Sequence, residues 1–596
     1  MCGIVGYIGN EQAAPILLEG LSKLEYRGYD SAGVAVCDGN SVAIEKAVGK
    51  LLNLSDKISG GDALKGTKGI GHTRWATHGK PTKANAHPHF SERFIIVHNG
   101  IIENEEALRH HYLKDTEFLS DTDTEVIAHL LQKFTDSGET TPVAIQHIIS
   151  ELEGSYALAI IDKNEPDLLY AVKNKSPLLI GHGDDFNMIG SDAMAMISKT
   201  SQFYEINDKE YAILSCKGVE IYTGYGQKIE RDTYKAELDV SDTEKGTYPH
   251  YMLKEIEEQP AVIRRILKEY SKNTGELEID TKIIEDIRAC DKIYIVACGT
   301  SYHAGIVGKQ LIEHIANVPT EACIASEFVY NMPLLSKKPM FIFISQSGET
   351  ADCRAVLVKV KEMGFKTLTI TNVNGSTLSR EADHTLLLYA GPEIAVASTK
   401  AYTAQIAVLA LLASQIKNTI NINLNYELSK VSNVIEALCT DRDKYSLLAR
   451  DYLTGARNCF YIGRALDYYV CLEASLKLKE ISYIQTEGFA AGELKHGTIA
   501  LIENNTPVIS IISQENINLN TRSNIKEVKS RGAHVLTIST KSLSSQKDNI
   551  IVNDVHEMLT PLVMVVPAQY LAYYAALQKG CDIDKPRNLA KSVTVE

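Results

Sequence analysis

Two stretches of this chain echo each other at a separation of 168 residues, and the echo restricts the possible folds more than any other feature. Phe343-Ile344-Ser345-Gln346 matches Ile511-Ile512-Ser513-Gln514. Val360-Lys361 and Gly364 match Val528-Lys529 and Gly532, and Leu368-Thr369-Ile370 matches Leu536-Thr537-Ile538. Several matches at one offset, each where a buried-type strand gives way to an amphipathic helix and then another strand, indicate a duplicated α/β domain. Alternation of that kind builds a doubly wound parallel sheet covered by crossover helices. The copies are expected at 280–420 and 450–586. At 596 residues the chain has room for about three or four domains.

Residues 2–240 follow a different pattern. Short β-rich runs such as Gly33-Val34-Ala35-Val36 and Phe94-Ile95-Ile96-Val97 alternate with glycine turns. Helical patterns occur only near 13–24, 104–112 and after Asp123, which predicts an antiparallel-sheet α/β domain. The polar, aperiodic stretch 239–247 reads as a linker, with a connecting helix completing the segment 241–279. Residues 587–596 form a tail with little helical or core pattern.

A net charge of −14, from 61 basic and 75 acidic residues, argues against nucleic acid or an anionic membrane as the main partner. No segment reads as long and apolar enough to span a bilayer; the most apolar run, 406–412, reads as a buried helix. The start of the chain lacks a signal-peptide pattern. The 11 cysteines are scattered without a CxxC pair, which suits reduced thiols and a cytoplasmic protein and indicates no zinc site. No metal or organic cofactor is expected.

Cys2 is the foremost candidate for chemistry. Once Met1 is removed, one residue carries both a thiol and a free α-amine, a nucleophile with its own base. Asn99-Gly100 offers an amide and a backbone N–H to a developing oxyanion, or is a plain turn. Arg74 offers two hydrogen bonds to a carboxylate, or is a surface cation. Asp123 suits an ammonium group, or caps the helix that follows.

In the second half, Cys298-Gly299-Thr300-Ser301 and Ser345-Gln346-Ser347-Gly348-Glu349-Thr350 are hydroxyl-rich loops between a strand and a helix. Such loops offer N–H groups and hydroxyls to a phosphate, and both lie at the carboxyl edge of one sheet. Cys298 reads as a small packing residue there. The second copy has Ser513-Gln514-Glu515 instead, where Glu515 repels an anion, so phosphate binding is assigned to the first copy alone. Lys477 and Glu480 share a helix face at i and i+3, in an arrangement equally typical of a surface ion pair.

Taken in order, Cys2-Gly3-Ile4, Tyr26-Arg27-Gly28-Tyr29-Asp30-Ser31-Ala32-Gly33, His72-Thr73-Arg74-Trp75-Ala76-Thr77-His78-Gly79, Asn85-Ala86-His87-Pro88 and His98-Asn99-Gly100 resemble the class II glutamine amidotransferase domain, an N-terminal-nucleophile αββα sandwich. The two loops of the first copy resemble those of sugar isomerase domains. Val396-Ala397-Ser398-Thr399-Lys400, Leu476-Lys477-Leu478-Lys479-Glu480, Ala491-Gly492-Glu493-Leu494-Lys495-His496-Gly497 and Pro586-Arg587-Asn588-Leu589-Ala590-Lys591-Ser592 extend the likeness to the family of phosphosugar aminotransferases that join both domain types, end to end.

The resemblance implies that Cys2 attacks the glutamine amide, Asn99 and Gly100 form the oxyanion hole, Arg74 binds the substrate carboxylate and Asp123 its amine, with His87 shaping the site. Ammonia released at Cys2 would be protonated and lost in water, so a sheltered path to fructose 6-phosphate is expected, with the apolar body of Trp75 and the C-terminal tail helping to close it. That sugar would be held by Cys298, Gly299, Thr300, Ser301, Ser345, Gln346, Ser347, Thr350, Val396, Ser398 and Lys477. Lys591 would form a Schiff base, Glu480 transfer the proton, and His496, reaching over from the neighbouring subunit of a homodimer, assist ring opening or proton exchange. Thr498 stands where better-known bacterial relatives have Pro, which bears on the stiffness of the His496 loop. The alternatives are another class II amidotransferase, for which no pyrophosphate or Walker-type loop is found, and a non-catalytic phosphosugar sensor.

Overall fold

The computed structural model describes residues 2–39, 41–75, 79–235, 244–271 and 276–594. Most of the expected linker, 239–243 included, lies outside them. The chain divides into two compact units: one holds the residues up to Glu244 together with the terminal segment Ala590–Glu596, the other Lys245–Leu589.

In the first unit, an eight-stranded and a seven-stranded sheet stack on each other, and every strand pair is antiparallel. Period-two alternation sorts the side chains into layers. In the strand Gly3–Ile8, Val5 and Tyr7 pack against the helix Ala13–Leu24, while Ile4 and Ile8 enter the core between the sheets. In Phe94–Ile102, Ile95 and Val97 meet them there, and Phe94 and Ile96 face the helices Thr124–Asp136 and Thr141–Glu151. The order of layers is therefore helix, sheet, sheet, helix. Each of these fully buried Ile and Val side chains contributes about 1.5–3 kcal/mol.

Asn99-Gly100 does not form a turn after a short strand. The strand runs on to Ile102, and Asn99 and Gly100 pair with Ala157 and Tyr156 of the neighbouring strand. Gly100 holds φ +138°, where an added Cβ would strike the Ser155 carbonyl oxygen, so glycine is required.

The second unit contains two five-stranded parallel sheets of identical topology. Numbered within each copy, the strands lie in the order 2-1-3-4-5. Strand 1 is Lys292–Ala297 in the first copy and Asn458–Gly463 in the second; strand 3 is Pro339–Ser345 and Pro507–Ile512. In this order the connections leave strands 1 and 3 in opposite directions, opening a crevice at their carboxyl ends. One apolar core runs through both copies, joining Ile295, Ile342 and Leu409 to Tyr461, Ile509 and Val563. The segment Glu557–Gln578 is long and apolar enough to cross a membrane, contrary to the expectation from sequence, but its most apolar window is 94% buried within this core.

Candidate functional site

Cys2 immediately precedes the strand Gly3–Ile8, which pairs with Lys68–Arg74 in the register Gly3 to Thr73. One step further along this register sets Cys2 opposite Arg74. The Trp75 N–H donates to Cys2 Sγ at 3.2 Å. Burial pushes the thiol pKa up, while the Trp75 N–H and Arg74 pull it down and Asp123 pushes it up. Arg74 is itself buried, its Nη2 donating to Gly79 O at 3.2 Å. Burial lowers the Arg74 pKa against the opposing pull of Cys2, Asp123 and Asp30. Trp75 packs edge-on against Tyr29, ring centroids 5.8 Å apart.

Asn99 comes to Cys2 from the other sheet. Its Nδ2 donates to Cys2 O at 3.1 Å and to Ser191 Oγ at 2.8 Å, and Ser191 Oγ also accepts from Ile4 N–H at 2.9 Å. Asp123 stands at the start of the helix Thr124–Asp136, yet its carboxylate does not cap that helix; Oδ2 accepts from Ile102 N–H at 2.9 Å. His87 belongs to a buried histidine group behind the site: it stacks on His72 at 4.1 Å, meets His89 edge-on at 4.6 Å, and lies 3.0 Å from Thr124 Oγ1. Burial pushes His87 and His89 well below the usual imidazole range, so both rings are neutral at pH 7. The arrangement brings a thiol, a carboxamide donor, a cation and a carboxylate together, the complement needed to hold an α-amino acid and attack its side-chain amide.

In the second unit, the two hydroxyl-rich loops converge at the crevice between strands 1 and 3 of the first copy. Cys298 precedes the helix Gly299–Leu311 and packs in an apolar cluster with Cys353 and Val296. Ser301 Oγ accepts from Gln405 at 2.9 Å. In the other loop, Ser345 and Thr350 hydroxyls lie 2.8 Å apart, Gly348 N–H donates to Ser345 Oγ at 3.0 Å, and Ser347 Oγ accepts from Glu349 N–H at 3.2 Å. Gln346 O accepts from Asn372 N–H at 3.1 Å. The segment carrying Val396 and Ser398 is held by Glu393, which accepts from Ser398 Oγ at 2.7 Å, and by the Val396 N–H bond to Asp584 O at 3.0 Å.

The first helix of the second copy, Leu466–Ser482, completes this group. Lys477 Nζ lies 2.6 Å from Glu480 Oε2, off the axis of an aligned hydrogen bond, and donates to Thr300 Oγ1 at 3.0 Å. Glu473, fully buried, accepts from Thr300 Oγ1 at 3.1 Å and lies 2.8 Å from His303 Nδ1. Lys477 is 1% exposed, so this is no surface pair. Burial works against its charge, but Glu480 and Glu473 outweigh it and raise the Lys477 pKa. Glu480 remains one-fifth exposed. His496 is exposed in the short segment Glu493–His496, and among the described residues no hydrogen bond joins it to Lys477 or Glu480. Arg587 at the base of the tail lies over the Tyr483 ring at 4.1 Å and donates its N–H to the Tyr483 hydroxyl at 2.8 Å, just past the helix that carries Glu480. Lys591 lies in the terminal segment that groups with the first unit.

A family model described as a glutamine amidotransferase domain matches residues 72–198, and one described as a SIS domain matches twice, over 286–415 and 452–579. The chain is 60% identical over 602 residues to glutamine–fructose-6-phosphate aminotransferase (isomerizing) of Geobacillus kaustophilus, covering 100% of both chains. It is 57% identical over 604 residues to the enzyme of the same name from Listeria monocytogenes, again covering 100% of both. The chain belongs to the glutamine–fructose-6-phosphate aminotransferase (isomerizing) family. A solved structure described as the C-terminal domain of glucosamine-fructose-6-phosphate aminotransferase from Francisella tularensis matches at 35% identity and TM-score 0.55, over 57% of this chain and 99% of that one.

Within this family member, sequence reasoning missed Glu473, His303, Gln405 and Ser191. Glu473, Lys477 and Glu480 fall at i, i+4 and i+7, a charged stripe that marks one helix face. Ser191 left no such signal: it follows the strand Asn187–Gly190 and reaches Asn99 only through the fold.

Proposed function

We propose that Cys2 hydrolyses glutamine and that the second unit uses the ammonia to turn fructose 6-phosphate into glucosamine 6-phosphate, within a cytoplasmic homodimer. The observation that carries the first half is the approach of Trp75 N–H to Cys2 Sγ, 3.2 Å, with Arg74 and Asn99 beside the same residue. With Met1 removed, the α-amine takes the thiol proton and Sγ attacks the amide carbon. Asn99 Nδ2 and Gly100 N–H receive the oxyanion; either the bond from Nδ2 to Cys2 O or the one to Ser191 Oγ yields as it forms. The α-amine returns the proton to the departing ammonia, and water cleaves the thioester to glutamate. Arg74 and Asp123 hold the substrate's carboxylate and amine; His87 acts behind them.

In the second unit the phosphate sits on the loops 298–301 and 345–350, with the Val396–Ser398 segment closing over the sugar. Lys591 forms a Schiff base with the ketose carbonyl. Glu480, 2.6 Å from Lys477, carries a proton between the two adjacent carbons. His496 of the neighbouring subunit assists ring opening, and Trp75 closes the ammonia path.

Incubation with glutamine and fructose 6-phosphate should give glutamate and glucosamine 6-phosphate by mass spectrometry. Cys2→Ala should abolish glutamate release and leave conversion of fructose 6-phosphate to glucose 6-phosphate intact; loss of both in a folded variant defeats the division of labour. Trp75→Ala should lower the aminosugar formed per glutamate released.

A further inference from the structure

Asn99 poses a problem that its own side chain cannot solve. A carboxamide is nearly symmetric in shape, but only one of its two orientations presents N–H to Cys2. The reversed one presents a carbonyl oxygen, which repels an oxyanion. Cys2 O, which only accepts, demands Nδ2 on its side, but the bonds on that side are the ones that yield as the oxyanion forms, so a second partner must hold the choice through the reaction.

The fixed point is a backbone carbonyl. His72 Nε2 lies 3.0 Å from His98 O and 3.1 Å from Asn99 Oδ1. A backbone carbonyl only accepts, so Nε2 must carry the proton. Because Nε2 is then a donor, the Asn99 atom facing it must be the oxygen, which leaves Nδ2 to face Cys2 and Ser191. The ring is fully buried and stacked on His87 at 4.1 Å, so it cannot turn to offer its other nitrogen. Among the described residues Nδ1 has no hydrogen-bond partner, consistent with an unprotonated edge. Burial pushes His72 down to about 3, so the ring stays neutral and keeps this single tautomer at physiological pH.

We propose that His72 is the positioning residue that sets the orientation of the Asn99 carboxamide and so aims its N–H at the oxyanion formed on Cys2. The proposal rests on the reading of Asn99 as an oxyanion donor. Asn99 and His72 stand 27 positions apart on strands of different sheets, so the hydrogen bond also ties the strand that carries the oxyanion donors to the sheet that Cys2 leads into.

The test is glutamate release in the full-length enzyme. Asn99→Ala should cut kcat about 10²–10³-fold, as removal of one oxyanion donor does. His72→Met, similar in volume but without a donor, should cut kcat about 10- to 100-fold while KM for glutamine changes less than about twofold. The two should be far from additive in the double variant, because His72 acts only through Asn99. His72→Gln returns an N–H at about the reach of Nε2 and should restore kcat to within about threefold. Alkylation of Cys2 by iodoacetamide should proceed at the same rate in all of them, showing the nucleophile intact. Full activity in His72→Met alongside a crippled Asn99→Ala overturns the proposal and leaves the reading of Asn99 standing. Full activity in Asn99→Ala overturns both. Should His72→Met not fold, His72→Gln is compared with His72→Asn, whose amide falls short of the Nε2 position: equal activities would refute the positioning role, and an active Gln beside an impaired Asn would support it.

Discussion

In the first parallel-sheet copy, the crevice between strands 1 and 3 is lined by hydroxyls of Ser301, Ser345 and Thr350. In the second, the same place is taken by a carboxylate of the protein itself. The ends of strand 1, Ala297 and Gly463, set an offset of 463 − 297 = 166 between the copies at this point, which makes Asp467 the counterpart of Ser301. Asp467 accepts from Ser513 N–H at 2.9 Å and from the Ser513 hydroxyl, so the loop after strand 3 closes on an internal anion. The same helix then turns its later residues toward the first copy. Glu473, Lys477 and Glu480 have Val307, Leu311 and His314 as counterparts, two apolar residues and one exposed imidazole. Duplication produced two crevices; divergence of one helix shut the second and furnished the first. The charges that meet Thr300 in the first copy are thus supplied by a helix whose own crevice is closed.

Four tests bear on this contrast. The largest effect should come from Glu480→Gln, which keeps shape but loses basicity: conversion of fructose 6-phosphate to glucose 6-phosphate should fall about 10²–10⁴-fold while glutamate release is retained. A small effect there would mean that the helix furnishes structure only. Next, Lys477→Met leaves the fully buried Glu473 without its cation, and loss of one partner of a buried pair costs about 3–5 kcal/mol. The melting temperature should drop by several degrees, and an unchanged one would remove the ion network from what joins the copies.

Third, Asp467 makes the closed crevice sensitive to pH. Burial pushes it up to about 6, against the pull of its bonds from Ser513. A carboxyl whose folded pKa exceeds its unfolded value, about 3.9, binds its proton more tightly in the folded state, so this group's contribution declines as pH rises from about 4 to about 6. The decline amounts to about 3 kcal/mol. Asp467→Asn should flatten that part of the urea-midpoint profile; an unaltered slope would show that Asp467 does not titrate there. Smallest is the turn after strand 1. Gly299 holds φ +53°, and its counterpart Ala465 holds φ +49° with ψ −126°, a conformation costly for any residue with a Cβ. Ala465→Gly should add about 1 kcal/mol to stability. Gly299→Ala, where a Cβ meets open space, should remove a similar amount through backbone strain alone. Calorimetry of the pair compares the same turn in both copies.

How much was legible beforehand depended on the range of the signal. The helix Ala13–Leu24 shows in the 3.6-residue spacing of Leu17, Leu21 and Leu24, all buried, because local period reports a face. Asn99-Gly100 carried a local turn signature that was overruled, since pairing with Ala157 and Tyr156 keeps the backbone extended through it. Lys477 and Glu480 were placed on one face correctly. The burial of Lys477 was hidden because a polar stripe looks the same whether it meets water or another domain's polar groups, and only the packing of Leu466–Ser482 against Gly299–Leu311 distinguishes the two.

By itself the sequence determined the duplication, the parallel and antiparallel halves, and the candidates Cys2, Arg74, Asn99, Asp123 and Glu480, because periodicity, turn chemistry and residue type are local properties of a chain. Only the tertiary structure decided that Asp467 closes one crevice across 46 residues, that Glu473 holds Thr300 across 173, and that His72 reaches Asn99 from another sheet. Those contacts follow from strand order and layer packing, in which residues distant along the chain become neighbours and each donor is matched to an acceptor that no local spacing foretells.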